Sequence, residues 1–326
     1  MARAMGWGST GHGDAHGRHA EQPGEIPKRG WRDILLRVKT NISEKSLGLI
    51  SAGTAFYSFL AIPSGFTALI ALYGLLFDPS QVERQLMILD GVMPAQALDI
   101  IHDQLNTLTS QPRQALGISF AISLVVALWS ANSATTSIMT ALNVVYEEHE
   151  KRGLIRYYAT ALAITAGAVL FGIVALTLIA VLPAIVDFLP LGDFSKTLAT
   201  ILRWPALMAV FMIGLGITFR FAPSRSKPRW RWVSWGAFAA VILWIAASAL
   251  FSFYVSHFNS YEKTYGSLAG VVLLLMWLYF SAYAVIIGAE LNAEIEHQTT
   301  KDSTTGGEKP MGRRGAKMAD TIGEER

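Results

Sequence analysis

The chain has 326 residues, of which 52% are hydrophobic and only 16% are charged, against roughly 25% charged in ordinary soluble domains. Six stretches without Asp, Glu, Lys or Arg cover just over half of it, more than a water-soluble fold can bury. Cysteine is absent, which excludes disulfides, thiol catalysis and thiolate metal sites. The composition therefore predicts an all-α, polytopic membrane protein.

Residues 1–46 precede the first apolar stretch. Their apolar residues recur at helical spacing between charged ones, which predicts an amphipathic helix lying on the inner membrane interface. A soluble helix packed on the bundle explains the same pattern. The apolar positions are Trp31, Ile34, Leu35, Val38 and Ile42.

The six uncharged stretches predict six membrane-spanning helices, because a bilayer core about 30 Å thick is crossed by about 20 apolar residues in a helix. The fourth stretch has the shortest uncharged core, and it crosses fully when Arg203 and Arg220 extend to opposite interfaces. The predicted spans are residues 47–77, 115–145, 157–186, 198–221, 233–258 and 265–290.

The first span contains Pro63 and Gly65. A proline removes one helical hydrogen bond and clashes with the preceding turn, so we expect a kink or a break there. A discontinuous helix at a binding site is the functional interpretation, since many transporters use one. A structural kink is the alternative, because proline is common in membrane helices.

Polar side chains within two of the spans form candidate faces. Asn132, Thr136 and Asn143 share one face of the second span, and the sixth span carries a second such face. Hydrogen bonds between helices explain such residues, and so does a wet, solute-lining face. The members of the second face are Tyr279, Tyr283 and Glu290; we expect Glu290 to be hydrated, paired with Arg220 or another base, or active in proton exchange.

A basic and aromatic segment follows the fourth span. It contains no acid, and its Arg and Trp residues predict an anchor for anionic lipid headgroups, although membrane orientation alone also accounts for the charges. The basic residues are Arg220, Arg225, Lys227, Arg229 and Arg231.

The distribution of Lys and Arg predicts the orientation. Alternate connecting segments, counted from the N-terminal one, hold 22 basic residues, and the remaining segments hold 5. Because positive charge stays on the cytoplasmic side, we expect both termini in the cytoplasm. Residues 78–114 are then external, and their apolar spacing predicts a short helical cap. Residues 297–326 are rich in Gly, Thr and Lys, which predicts a disordered cytoplasmic tail.

A set of motifs lies along the chain: Ala55–Leu60 followed by Pro63, Trp129–Tyr146, Phe219–Pro223, Tyr265–Gly270, Leu275–Tyr279 and Gly288–Ala293. Together they resemble the YihY / virulence factor BrkB family over about residues 31–296. The resemblance implies a bacterial inner-membrane protein with six spans and supplies no catalytic residues. Some members have carried the name ribonuclease BN, which belongs to a soluble metal-dependent enzyme whose metal motif is absent from this sequence.

Two functional hypotheses remain. The first is a transporter or exporter of an amphipathic or lipid-like solute linked to the cell envelope, with the polar faces lining its path. The second is a non-transporting scaffold for envelope enzymes. Polar residues within the spans favour transport. We expect membrane lipids with anionic headgroups and a small amphipathic solute as partners, and neither enzymatic activity, a cofactor, a metal nor nucleic acid, since the corresponding motifs are absent.

Overall fold

The computed structural model describes residues 14–76, 113–181, 193–257 and 268–325, and these ranges contain helices and no β-strand. A 3-10 turn at Pro23–Glu25 precedes the first helix, and a π-helical turn at Thr177–Val181 extends the fourth. The helices are α1 (Lys28–Glu44), α2 (Leu47–Leu76), α3 (Arg113–Val145), α4 (Leu154–Leu176), α5 (Asp193–Phe221), α6 (Trp230–His257), α7 (Ala269–Glu296) and α8 (Lys317–Asp320).

Five of these helices are long and apolar enough to cross a membrane, and the number becomes six if α1 and the first part of α2 form one bent span. Helices α3 to α7 coincide with the second to sixth predicted spans, apart from small shifts at their ends. The prediction of an all-α, polytopic membrane protein is therefore confirmed. The predicted external cap, residues 78–114, lies outside the described residues except for the start of α3.

A sharp bend separates α1 from α2, before the first predicted span. Helix α1 and the segment Leu47–Pro63 meet at 65°, and Ser46 between them has a left-handed φ of 51°. Helix α2 continues through Pro63 and Gly65, so the helix does not break at these two residues, and the alternative of a kink there stays a prediction. A proline removes only one helical hydrogen bond, and the flanking turns can keep theirs.

The chain forms two compact units: residues 1–51, 138–258 and 280–326, and residues 52–137 and 259–279. The core of the first unit packs the end of α3 against parts of α5, α6 and α7. Alanine is the most frequent residue in this core, and its small side chain lets the helices approach closely. These alanines include Ala141, Ala222, Ala237, Ala240, Ala289 and Ala293.

Large apolar side chains cover the outward faces of the spans. Leu170 on α4 is 61% exposed, Ile213 on α5 is 59% exposed and Leu250 on α6 is 69% exposed. Such exposure would be unfavourable in water over a wide surface, whereas hydrocarbon chains accept it. The outward faces thus fit a lipid environment.

Helix α1 packs on the helix bundle, as in the second interpretation of its amphipathic pattern. Ile34 and Val38 are buried against Trp232 of α6 and Ile295 of α7. The charged Asp33 is buried as well, and its Oδ2 lies 2.6 Å from Nδ1 of His16. These contacts hold α1 to the bundle, and its position at the membrane interface stays a prediction.

The C-terminal segment is folded, which corrects the prediction of a disordered tail. Gln298 and Met318 have no exposed surface, and Met318 belongs to the core of the first unit. The backbone N–H of Thr300 donates to the carbonyl of Arg18 at 2.7 Å, which ties the tail to the N-terminal segment. Arg314 is buried and donates to four backbone carbonyls of the tail. These bonds give a polar, Gly-rich segment a fixed conformation that composition does not reveal.

Candidate functional site

A buried ionic network joins α1 to α7. Glu290 has no exposed surface, and its Oε1 accepts hydrogen bonds from Lys45 Nζ at 3.0 Å and Asn41 Nδ2 at 2.7 Å. Lys45 Nζ also donates to the carbonyl of Val145, at the end of α3, at 2.9 Å. A buried carboxylate needs a partner, and Glu290 has one in Lys45. Through Lys45 the pair connects the ends of α1, α3 and α7. Of the alternatives left open for Glu290, the structure shows an ion pair, and the basic partner is Lys45 rather than Arg220.

The network follows a regular spacing. Arg37, Asn41 and Lys45 lie four residues apart at α1, and Glu290, Glu294 and Gln298 repeat the interval at the end of α7. Asn41 Nδ2 donates to Glu294 Oε1 at 2.8 Å, and Arg37 donates from Nε to Glu294 and from Nη2 to Gln298 Oε1 at 2.7 Å. Residues four apart share a helix face, so the two segments meet along a polar seam. This seam is a structural junction.

A second buried ion pair connects the α5–α6 loop to the end of α7. Arg225 Nη2 lies 2.7 Å from Glu296 Oε2, and the two side chains are 1% and 2% exposed. The guanidinium of Arg225 also lies 4.3 Å from the ring centre of Tyr146, a favourable cation–π distance. Burial opposes the charge of Arg225, but the Glu296 carboxylate outweighs this effect and raises the pKa of Arg225. Arg225 therefore stays cationic although it is buried.

Asn143 fixes the two loops beside this pair. Its Oδ1 accepts the backbone N–H of Ser224 at 2.8 Å, and its Nδ2 donates to Glu150 Oε2 at 3.0 Å. Glu150 also pairs with Arg152 at 2.7 Å, and the hydrogen bond from Arg152 lowers the pKa of Glu150 to about 2. Asn143 thus ties the end of α3 to the two neighbouring loops.

Helices α6 and α7 cross at two glycines. Asn292 is buried and clamps the crossing, because its Oδ1 accepts the N–H of Gly236 at 2.6 Å and its Nδ2 donates to the carbonyl of Val233 at 2.9 Å. A Cβ atom added to Gly288 would lie 2.5 Å from the Gly236 carbonyl oxygen. No side chain fits between the backbones here, as is usual at close crossings of membrane helices.

A cleft of about 1160 Å³ lies between α4 and α5. Small residues widen it: Ala159 and Gly167 line it from α4, and Gly214 lines it from α5. A Cβ atom added at Gly167 or Gly214 would meet no atom within 4 Å. The rings of Phe171 and Phe211, 5.5 Å apart, line the part far from the connecting loops. The cleft therefore has an apolar interior.

Cations surround the mouth of the cleft, and no acidic residue lines it within the described part of the chain. Two guanidinium groups there keep unused donors: Nε and Nη1 of both Arg220 and Arg225 are buried without a hydrogen-bond partner. The Arg220 guanidinium also lies 4.6 Å from the ring centre of Trp230. The cations are Lys151, Arg152, Arg156, Arg220, Arg225 and Lys227.

The structure separates the five predicted basic anchors. Arg220, Arg225 and Lys227 line the cleft. Arg229 instead donates from Nε to the Thr304 carbonyl at 3.0 Å, and Arg231 is exposed outside the cleft lining. The predicted anchor therefore contains a site-facing part and a structural part.

The predicted polar faces are distributed over both units. Asn132, Thr136 and Tyr279 belong to the second unit and are half-buried, and the Thr136 hydroxyl donates to the Ser133 carbonyl at 3.0 Å. Tyr283 packs against the core of the first unit. A role for these residues along a solute path stays a prediction. Asn143 and Glu290, the other members of the two faces, belong to the first unit as well.

Sequence reasoning missed most partners in the buried seam. Arg37, Asn41 and Glu294 were not singled out, although their four-residue spacing was a usable signal. Asn292 lay inside a recognised motif without an assigned role. Within the described ranges, no three His, Asp or Glu side chains are placed to hold a metal ion.

Comparison with known proteins identifies the family. The family model described as virulence factor BrkB matches residues 38–312. The chain belongs to the virulence factor BrkB family. A relative from Bacillus subtilis, YfkH, is 32% identical over 74% of this chain and 88% of its own length, and its name describes it as ribonuclease-like. No solved structure is significantly similar to this chain.

Two further relatives are named as membrane proteins. A UPF0761 membrane protein of Pseudoalteromonas translucida is 26% identical, with 78% of both chains covered. Another from Idiomarina loihiensis is 24% identical over 68% of this chain and 75% of its own length. These similarities agree with the helical architecture of an integral membrane protein.

Proposed function

We propose that the protein transports an amphipathic, lipid-like solute linked to the envelope across the bacterial inner membrane, with both termini in the cytoplasm. The cleft between α4 and α5 is the solute-binding site in this proposal. The observation that carries it is the combination of an apolar interior with a cationic mouth. An amphipathic molecule combines an apolar tail with a polar headgroup, so its tail fits the apolar interior and an anionic headgroup fits the cationic mouth.

The size of the cleft supports a lipid-like solute. Pockets for small molecules usually measure about 300–1,000 Å³, and this cleft has about 1160 Å³. Its lining runs from Arg156 to Phe171 along α4, which spans roughly 22 Å at 1.5 Å per residue. That length is most of a hydrocarbon core about 30 Å thick. A long apolar tail therefore has room to lie along the helices.

A reconstituted transport assay tests this role. Purified protein in liposomes is given fluorescent single-chain amphipaths that carry a carboxylate, sulfonate, phosphate or choline headgroup. Gly214→Leu fills the cleft and is expected to reduce transport several-fold. The control is Gly172→Leu on α4, since Gly172 also borders open space but does not line the cleft. Equal transport by both variants, or no transport of any probe by the wild type, would contradict the proposal.

The polar faces extend the proposal beyond the cleft. Asn132 and Thr136 are candidates for the path that a headgroup follows through the membrane, as are Tyr279 and Tyr283. Asn132→Leu is then expected to reduce transport while leaving occupancy of the cleft unchanged. Equal transport rates for the variant and the wild type would remove Asn132 from the path.

The proposed orientation has an independent test. Reporter domains that are active only in the periplasm are fused in turn to each terminus. Both fusions are expected to be inactive, and reporters that are active only in the cytoplasm are expected to work. Periplasmic activity of either fusion would overturn the proposed orientation.

A scaffold role is the second candidate, and the folded C-terminal segment favours it because that segment offers a fixed surface. Deleting residues 297–326 cannot decide between the roles, since the deletion also removes Met318 from the core. Substitution of the exposed Met311 by Ser leaves the core intact. Loss of cellular function by this variant with normal transport in liposomes would favour the scaffold.

A further inference from the structure

We infer that the ligand of the α4–α5 cleft is a membrane phospholipid with a net negative headgroup, whose phosphate is bound by Arg220 and Arg225. This inference rests on the proposed function, because it names the solute class for the same cleft. It goes further by assigning the headgroup chemistry and the residues that recognise it.

Unused donors are the first argument. Nε and Nη1 of both Arg220 and Arg225 are buried and have no hydrogen-bond partner. Buried donors without acceptors are unfavourable and rare in folded proteins. Both side chains line the cleft, and a small rotation of each guanidinium toward it would bring these buried donors to an acceptor inside. Guanidinium groups form strong paired hydrogen bonds with phosphate oxygens, which makes a phosphate a fitting acceptor.

The charge balance at the mouth is the second argument. Three of its six cations, Lys151, Arg152 and Arg225, are paired with glutamates. Arg156, Arg220 and Lys227 form no ion pair with any residue that the structure describes. The mouth therefore carries an excess of positive charge, which attracts an anionic headgroup and gives a zwitterionic one no comparable advantage.

The position of the mouth is the third argument. Arg220 lies in the last turn of α5, and Trp230 beneath its guanidinium begins α6. Helix ends with Arg and Trp lie at the level of lipid headgroups. The apolar lining continues from there toward the middle of α4 and α5. A lipid of the adjacent leaflet can thus place its phosphate at the mouth and its acyl chains in the cleft without leaving its normal depth.

Binding can be measured without transport. Delipidated full-length protein in a neutral detergent is mixed with phosphatidylglycerol, phosphatidylcholine, palmitate or inorganic phosphate, and bound ligand is counted by native mass spectrometry. We expect phosphatidylglycerol to bind at least about 10-fold more tightly than phosphatidylcholine, in line with the strength of charge-assisted hydrogen bonds. Gly214→Leu is expected to abolish this site.

Matched variants assign the headgroup contact. Arg220→Gln is expected to weaken phosphatidylglycerol binding about 10-fold or more, and Arg220→Lys is expected to restore only part of it, because lysine lacks the paired donors. The control is Arg231→Gln, which removes the same charge from the first turn of α6, outside the cleft, and is expected to bind normally. Arg225 is not substituted, because its pair with Glu296 is part of the fold.

The outcomes separate this inference from the proposed transport. Equal binding of phosphatidylglycerol and phosphatidylcholine, or equal losses in Arg220→Gln and Arg231→Gln, would overturn the headgroup assignment even if transport occurs. Preferential binding of palmitate or of inorganic phosphate would also overturn it. Specific phosphatidylglycerol binding without movement of any probe in liposomes would support the inference and refute the transport role.

Discussion

The ammonium nitrogen of Lys45 lies 3.0 Å from Oε1 of Glu290, a carboxylate with no exposed surface. Lys45 is the residue that follows α1, immediately before the 65° bend, and Glu290 lies in the second-last turn of α7. The pair therefore fixes the direction in which the chain enters α2. It also connects this bend to α3, because Lys45 donates to the Val145 carbonyl.

The first prediction concerns this ion pair. Lys45→Met leaves the Glu290 carboxylate buried without its cation and is expected to lower the free energy of unfolding by about 3–5 kcal/mol. The exposed Lys39→Met is the control and is expected to change it little. Thermal unfolding in detergent, followed by the loss of monodisperse protein, measures both as changes in Tm.

A double-mutant cycle separates this pair from general damage. Lys45→Met combined with Glu290→Gln is expected to cost less than the sum of the two single substitutions, because contacting residues are energetically coupled. If the Tm change of the double variant equals the sum of the two single changes, Lys45 and Glu290 are not energetically coupled.

The second prediction concerns the crossing of α6 and α7. A Cβ atom at position 288 would lie 2.5 Å from the Gly236 carbonyl oxygen and 2.6 Å from Ala240 Cβ. Gly288→Ala is thus expected to destabilise the protein by about 1–3 kcal/mol through overpacking. Gly172→Ala adds its methyl group to open space and is expected to be neutral or stabilising. Equal Tm values for the two variants would contradict the close crossing.

The third prediction is a pH dependence at Glu150. Hydrogen bonding from Arg152 lowers the pKa of Glu150 from 4.5 to about 2, so its ionised form stabilises the folded state. This contribution is complete above pH 4.5 and is lost as the pH falls toward 2. Glu150→Gln is therefore expected to have a lower Tm than the wild type at pH 7, and the difference is expected to shrink as the pH falls below 4.5.

Removal of the partner provides the control for Glu150. In an Arg152→Gln background, adding Glu150→Gln is expected to produce a much smaller Tm difference, with little dependence on pH. A difference that stays constant from pH 7 to pH 3 in the wild-type background would contradict the role of the Arg152 contact.

The fourth prediction concerns the folded C-terminal segment. Arg314 donates to the carbonyl oxygens of Thr300 and Ala319 at 2.6 Å each, so Arg314→Ala leaves buried acceptors unsatisfied. Hydrogen exchange of residues 299–321 is expected to accelerate about 10-fold or more. Arg313→Ala removes the exposed neighbouring charge and is expected to leave exchange unchanged. Equal protection in both variants would contradict the role of Arg314.

Part of the candidate site was predictable from local sequence. Arg220, Arg225 and Lys227 were recognised as a headgroup anchor because cations and aromatic residues follow one another at a helix end. The neighbouring Arg229 has a similar sequence context but bonds to the Thr304 carbonyl. Nothing in the local pattern separates these residues, since the partner of Arg229 lies 75 residues away.

The cleft itself could not be predicted. Its width depends on Gly167 and Gly214, which look like ordinary small residues of packed membrane helices. Gly236 and Gly288 have the same character in the sequence, yet they lie at a tight crossing. Whether a small residue creates space or closes it depends on the neighbouring helix.

The sequence by itself determined the class of the protein, because only hydrocarbon stabilises so many long uncharged helices, and each crossing needs a fixed number of apolar residues. It also predicted which stretches of the chain form helices α3 to α7. The tertiary structure decided which polar residues are buried partners, that α2 continues through Pro63, and that the C-terminal segment is folded. Those outcomes depend on hydrogen bonds and ion pairs between residues far apart in the chain, such as Lys45 and Glu290. The composition of a local segment does not indicate such contacts.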